Sequence, residues 1–167
     1  GNKGKYFSYV LTYNDYRTNG NGYSGLDGSL RTDTFGYLQK FNIRDNRDSS
    51  YFMAKIEGED FLKGLVIQYH RQYWNFQTGH GWIWHAPDFA ESMFETMQNI
   101  FVSYSGKIGD KFSQEYVVRY QRHDIDWNTR YAENGSFGAF YPTGASEYLK
   151  TGADQIFSRA QWTYTLP

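Results

Sequence analysis

The 167-residue sequence predicts an all-β fold, an antiparallel up-and-down β-barrel of the transmembrane kind or part of one. It reads as one barrel-type domain or barrel segment over residues 1–167, with long loops and one short helix near 87–98. Three observations predict this. Residues 111–127, KFSQEYVVRYQRHDIDW, alternate for far longer than the roughly 5–6 residues of an ordinary strand. Tyr116, Val118 and Tyr120 share one face and Glu115, Arg119, Gln121 and His123 the other, because side chains alternate across a strand. Aromatic residues make up 20% of the chain, led by 16 Tyr and 13 Phe, more than a core asks for and typical of places where one end is dry and the other wet. Short polar turns (57–60, 105–111, 44–50) alternate with long polar loops (17–31, 75–100, 128–155), the asymmetry of outer-membrane barrels.

Taken in order, residues 5–15 alternate, with Phe7, Tyr9, Leu11 and Tyr13 on one face. Residues 17–31 are rich in Gly, Asn and Asp, which tolerate positive φ, and read as an exposed loop. A strand is expected over 34–43, then a polar connector RDNRDSS, then a hairpin of 51–56 and 61–74 about the turn 57–60. Residues 75–100 form an insertion. Pro87 followed by Asp88 suits a helix start, and Phe89, Met93 and Met97 at four-residue spacing give an amphipathic stripe. Strand resumes over 101–105, residues 128–154 read as loop with at most one helical turn near 146–150, and 156–166 closes as strand.

Composition bounds the function. Lys+Arg total 17 against 18 Asp+Glu, and no basic run would track a phosphate backbone, so no nucleic acid partner is expected. No cysteine is present, which removes disulfides and thiolate metal sites. No run of 18 apolar residues occurs, so any membrane span is β, and GNKGKYF lacks a signal-peptide pattern, so any export signal is expected to have been removed. A mean hydropathy of −0.74 is low for a membrane protein, but polar lumens and loops weaken that signal in barrels.

The phrase YVLTYNDYRTNGNGYSG resembles the early barrel strands of TonB-dependent outer-membrane receptors, in which a strand runs into an Asp/Gly-rich loop. The stretches YFMAKIEGEDFLKGLVIQYHRQYW and FVSYSGKIGDKFSQEYVVRYQRHDIDW are similar to consecutive barrel hairpins of that family, and FSRAQWTYTL to a further strand. About eight strands are expected where a full receptor has about 22, with neither plug nor TonB box in these residues. The resemblance implies a barrel segment or one chain of a split receptor in the bacterial outer membrane. It further implies uptake of a metal chelate or glycan held by the long loops, driven from the inner membrane through a plug. The partners expected are the lipid bilayer, that small-molecule ligand, and further barrel strands or a plug from another chain. No chemistry on the ligand and no cofactor are expected.

The densest constellation is QTGHGWIWHAPD, residues 77–88, where His80, Trp82, Trp84 and His85 lie close together with Asp88. Paired Trp faces can stack on a ligand, and two imidazoles with a carboxylate can bind Zn²⁺ or Fe, although no specific metal signature is present and the rings could simply pin a loop to the sheet. Trp127, Arg119 and His123 complete the candidate ligand-binding set, and His70, Arg119, Arg122 and His123 could line a lumen and meet an anion. Asp124, Asp126 and Asn128 resemble the start of a calcium loop, but Thr129 stands at the glycine position and Gly135 at the twelfth, which excludes an EF-hand. No catalytic residue is assigned: Glu57, Glu59 and Asp60 fall in a tight turn, and no nucleophile or metalloprotease motif occurs. Two other readings stand beside the barrel: a soluble secreted or periplasmic β-sandwich that binds carbohydrate, and a small hydrolase. The barrel exposes Tyr116, Val118, Tyr120, Ile67 and Tyr69 to lipid, whereas the sandwich buries them.

Overall fold

Long alternating segments joined by tight turns can satisfy their backbone groups only by pairing side to side, and they do so in register. The computed structural model describes the chain apart from residues 27–31, 43–44, 78–91, 133, 136–139 and 167. Its strands are β1 (Asn2–Lys3), β2 (Phe7–Thr18), β3 (Ser24–Leu26), β4 (Lys40–Asn42), β5 (Arg47–Gly58), β6 (Leu65–Phe76), β7 (Ser92–Ile108), β8 (Phe112–Ala132) and β9 (Ala145–Tyr164). Seven of them form one antiparallel sheet in the order β1-β2-β5-β6-β7-β8-β9, and β3 pairs β4 as a separate ribbon inside the first long loop. The sheet is not closed: among the described residues β9 pairs only with β8, and the far edge of β2 meets only the two-residue β1. The fold is all-β as expected, with neighbouring long strands adjacent in sequence.

Several boundaries differ from the sequence reading. The expected helix near 87–98 is overturned over its described part, since residues 92–98 belong to β7; residues 87–91 lie outside the described residues. A four-residue spacing is also a multiple of two, so Met93 and Met97 share a face of a strand as well as of a helix. Residues 128–132 and 145–154, expected as loop, extend β8 and β9, with one irregularity between Arg130 and Ala132. Cross-strand pairing carries these residues, and Thr129 among them is only 1% exposed. Of the expected strand 34–43 only Lys40–Asn42 is strand. The connector RDNRDSS lies at the long-loop end, where its last four residues open β5.

At the short-turn end, Asp60–Leu62 makes one 3₁₀ turn between β5 and β6, and Gly109–Lys111 joins β7 to β8. Gly64 is required where it stands. Its φ is +97°, a Cβ there would collide with the Ser105 carbonyl, and its own carbonyl accepts from Ser105 N at 3.0 Å.

β8 is 21 residues long, about 70 Å at about 3.4 Å per residue. That is more than twice the roughly 30 Å of a bilayer core, so a tilted β8 in a membrane projects well beyond it.

Candidate functional site: two faces of one sheet

Cross-strand pairing sorts every side chain onto one of two faces. On the first, one row runs Leu11, Ala54, Tyr69, Ile100, Tyr120, Ile156, and the next runs Tyr9, Ile56, Ile67, Val102, Val118, Ser158. Leu65, Tyr104, Tyr116 and Ala160 follow toward the short turns, with Trp162, Phe112 and Tyr164 at the margin. The result is one apolar belt across six strands. On β8 it is the more exposed face, since Val118 is 50% exposed while its neighbour Val117, on the opposite face, is 8% exposed; the edge strands β2 and β9 are open on both faces. Tyr116 and Ile67, two of the residues that separate the readings, are exposed, and Tyr120 and Tyr69 are half-buried in rows open to the same side. We call this face outer. Aromatic contacts mark its lower margin, where Tyr116 lies 6.5 Å from Tyr104 and 5.9 Å from Trp162, and Trp162 Nε1 donates to the Tyr116 hydroxyl at 3.1 Å.

The belt slants. Ala54, mid-belt on β5, registers through Tyr69 and Ile100 with Tyr120, which is the upper edge of the belt on β8. The middle of the belt on β8 is Tyr116, so the apolar band slips by about one residue per strand, the stagger that tilted barrel strands require.

Level with the belt, the inner face is mainly polar, with a minority of apolar residues. Its rows carry Thr12, Met53, His70, Asn99, Gln121 and Gln155, then Val10, Lys55, Gln68, Phe101, Arg119 and Phe157. The Tyr51 hydroxyl lies 2.7 Å from His70 Nδ1, His70 Nε2 meets the Gln68 amide, and His123 Nε2 lies 2.6 Å from Glu95 Oε1. Arg119 stands over the Phe157 ring, while Arg119 Nε and Asn99 Oδ1 are buried without hydrogen-bond partners among the described residues. Such groups are costly to leave unpaired and suit a surface that meets another polar body.

Above the belt the two faces exchange character. The outer face becomes charged: Arg17, Asp48, Asp126 and Lys150 share one row and Asp15, Ser50, Tyr73 and Asp124 the next. Arg122 grips Asp124 with two bonds, of 2.7 and 3.1 Å, and this holds the Asp124 carboxyl below its usual range. The Tyr148 hydroxyl donates to Asp126 Oδ2 at 2.8 Å, which raises its phenol. The inner face gains aromatic and apolar residues among polar ones, with Tyr16, Ser49, Trp74, Glu95 and Ile125 in one row and Arg47, Phe76, Met93, Trp127 and Leu149 in the next. Tyr16, Arg47, Ser49, Trp74 and Phe76, together with Asp48 and Asn75, line a cavity of about 400 Å³ between β2, β5 and β6. A smaller hollow of about 280 Å³ lies at the short-turn end against Ser105, Lys107, Glu115 and Gln161.

Comparison with known proteins finds no matching family, no similar characterised protein and no similar solved structure.

The predicted site is divided by the structure. His80, Trp82, Trp84, His85 and Asp88 lie outside the described residues. Arg119, His123 and Trp127 do share the inner face of β8, with His70 on the same face of β6. Arg122 does not join them: its parity places it on the outer face, bound to Asp124. Asp124 and Asp126 are committed to Arg122 and to Tyr148, and no cluster of three metal-ligating side chains occurs among the described residues. Glu57 pairs with Lys55 at 2.6 Å and Glu59 with Lys3 at 3.4 Å, as hairpin carboxylates. Sequence reasoning missed Tyr16, Arg47, Ser49 and Phe76, since only the pairing of β2 with β5 and β6 brings them beside Trp74. A signal was present in the aromatic residues Tyr16, Trp74, Phe76 and Trp127, which fall on the polar parity at the loop-side ends of β2, β6 and β8.

Proposed function

We propose that the chain is the wall of a transmembrane β-barrel in the bacterial outer membrane, of the kind found in TonB-dependent receptors, and serves uptake of a small solute. The belt faces lipid, and the inner face lines the solute path. One observation carries this: a continuous apolar band on the exposed face, backed at the same height by a polar inner face. A β-sandwich would place a second sheet about 10 Å from that band, and among the described residues the remaining sheet is the two-stranded β3–β4 ribbon.

The belt on β8, Phe112 to Tyr120, matches the lower end of the roughly 9–11 residues that a tilted span needs. Lipid offers no hydrogen bonds to the free edges of β2 and β9, so the reading calls for further strands on both sides. The protein performs no chemistry on its cargo in this reading.

Purification with and without detergent tests the proposal. The chain should aggregate in plain buffer and show β circular dichroism with a single sedimenting species in detergent. A monodisperse, β-folded monomer in plain buffer would refute the lipid assignment and favour the soluble carbohydrate-binding reading.

A further inference from the structure

We infer that the cavity between β2, β5 and β6 is a binding site for an acidic oligosaccharide, with Trp74 and Tyr16 as stacking platforms and Arg47 as the carboxylate anchor. The inference deepens the proposed uptake role, and rests on it only in treating the inner face as the face that solute meets.

The chemistry follows from the lining. Ser49 on β5 pairs directly with Tyr16 on β2 and with Trp74 on β6. The two rings therefore flank one strand, about 10 Å apart at about 4.8 Å per strand step. They are 56% and 44% exposed, so their faces are open to a ligand. A lone planar aromatic acid would cover one ring and leave the other wet. Successive pyranose rings offer apolar C–H faces at intervals and can use both.

Arg47 fixes the charge. It sits beside Phe76 in the adjacent inner row, and among the described residues no carboxylate pairs with it; Asp48, which also borders the cavity, belongs by parity to the outer face. A purely apolar ligand would cover this guanidinium without compensation, which is costly. A uronate carboxylate matches its planar fork and forms a charge-assisted pair. The Ser49 hydroxyl supplies a donor and acceptor between the rings for a sugar hydroxyl. A cavity of about 400 Å³ accommodates one or two sugar rings and leaves the rest of a chain in solvent.

The test titrates the detergent-solubilised chain with trigalacturonate and, separately, with neutral galactotriose, following heat and tryptophan emission. Trigalacturonate should bind more tightly. Trp74→Ala should weaken binding about tenfold, and Arg47→Gln should erase the preference for the acidic sugar while keeping residual affinity for both. Equal affinity of the parent chain for both sugars, no binding of either, or an unchanged affinity in Trp74→Ala overturns the inference. Circular dichroism identical to the parent certifies each variant. A chain that binds trigalacturonate yet is a soluble monomer refutes the membrane proposal alone. A detergent-dependent chain that binds neither sugar refutes this inference alone.

Discussion

The lower and upper halves of β8 share one backbone geometry and opposite surroundings. From Phe112 to Tyr120 the even residues apart from Gln114 form the apolar belt, and the odd residues apart from the buried Val117 are polar. From Arg122 to Asn128 the even residues are charged or polar, and the odd ones include Ile125 and Trp127. Alternation continues through both halves, so strand pairing is indifferent to which face is apolar. The exchange has a simple cause in the proposed setting. At belt height lipid lies outside and water inside, whereas above it water lies outside and aromatic side chains gather on the inner wall. What faces a strand changes with height, and the sequence changes parity with it.

A charge placed on the outer face at each height, on β8 and on its neighbour β7, gives the sharpest separation. Val118→Arg should cost about 2–4 kcal/mol in urea unfolding from lipid vesicles, because the guanidinium enters hydrocarbon. Thr96→Arg, on the same face above the belt, should stay within about 0.5 kcal/mol. Equal costs would erase the distinction between the halves.

A smaller energetic contrast comes from two glycines. Gly64→Ala should destabilise by about 1–3 kcal/mol, since positive φ and the Ser105 carbonyl both oppose a Cβ. At Gly152, in the upper half of β9, an added Cβ would lie 2.7 Å from the exposed Asp124 carboxylate, a side-chain end that can shift, and at an ordinary 3.8 Å from the His123 carbonyl. Gly152→Ala should be neutral or mildly stabilising, by up to about 1 kcal/mol, because alanine loses less chain entropy in a strand. Thermal unfolding of the two variants in detergent reads the difference, and a larger loss at Gly152 would contradict the packing described.

Tryptophan reports the same division optically. In variants that keep one tryptophan each, Trp162 should be quenched by lipids brominated along their acyl chains. Trp74 should be spared, since it lies on the inner face above the belt. Matching quenching of both would place the two regions in one medium.

The smallest effect is that of pH on the charged upper face. Arg122 lowers the Asp124 pKa, so that pair's contribution is present above the unfolded carboxyl pKa, near 3.9, and fades as pH falls through the lower folded value. Asp126 raises the Tyr148 pKa, so that contribution is present below about pH 10 and fades as pH rises through the folded value. Both groups are exposed and screened, and Asp124→Asn should change the urea midpoint between pH 3 and 5 only marginally. A large shift there would show that the upper face is more enclosed than its exposure indicates.

Much of this architecture was legible in the residues. Two-residue alternation fixed strand identity and the membership of each face over 7–15, 65–74 and 112–127, because parity is a local property of an extended chain, while the expected strand residues 61–64 belong instead to the 3₁₀ turn and the turn after it. Arg119, His123 and Trp127 could be placed on one face for the same reason. The helix expected near 87–98 failed because Met93 and Met97 satisfy both periods, and residues 128–132 and 145–154 were lost among loops because their strand state rests on cross-strand pairing. The tertiary structure alone decided register, and with it the slanted belt, the placement of Arg122 on the outer face and the meeting of Tyr16, Arg47 and Trp74. Those depend on which residue of one strand lies opposite which residue of the next, a long-range choice set by turn length and shared faces and not by any single segment.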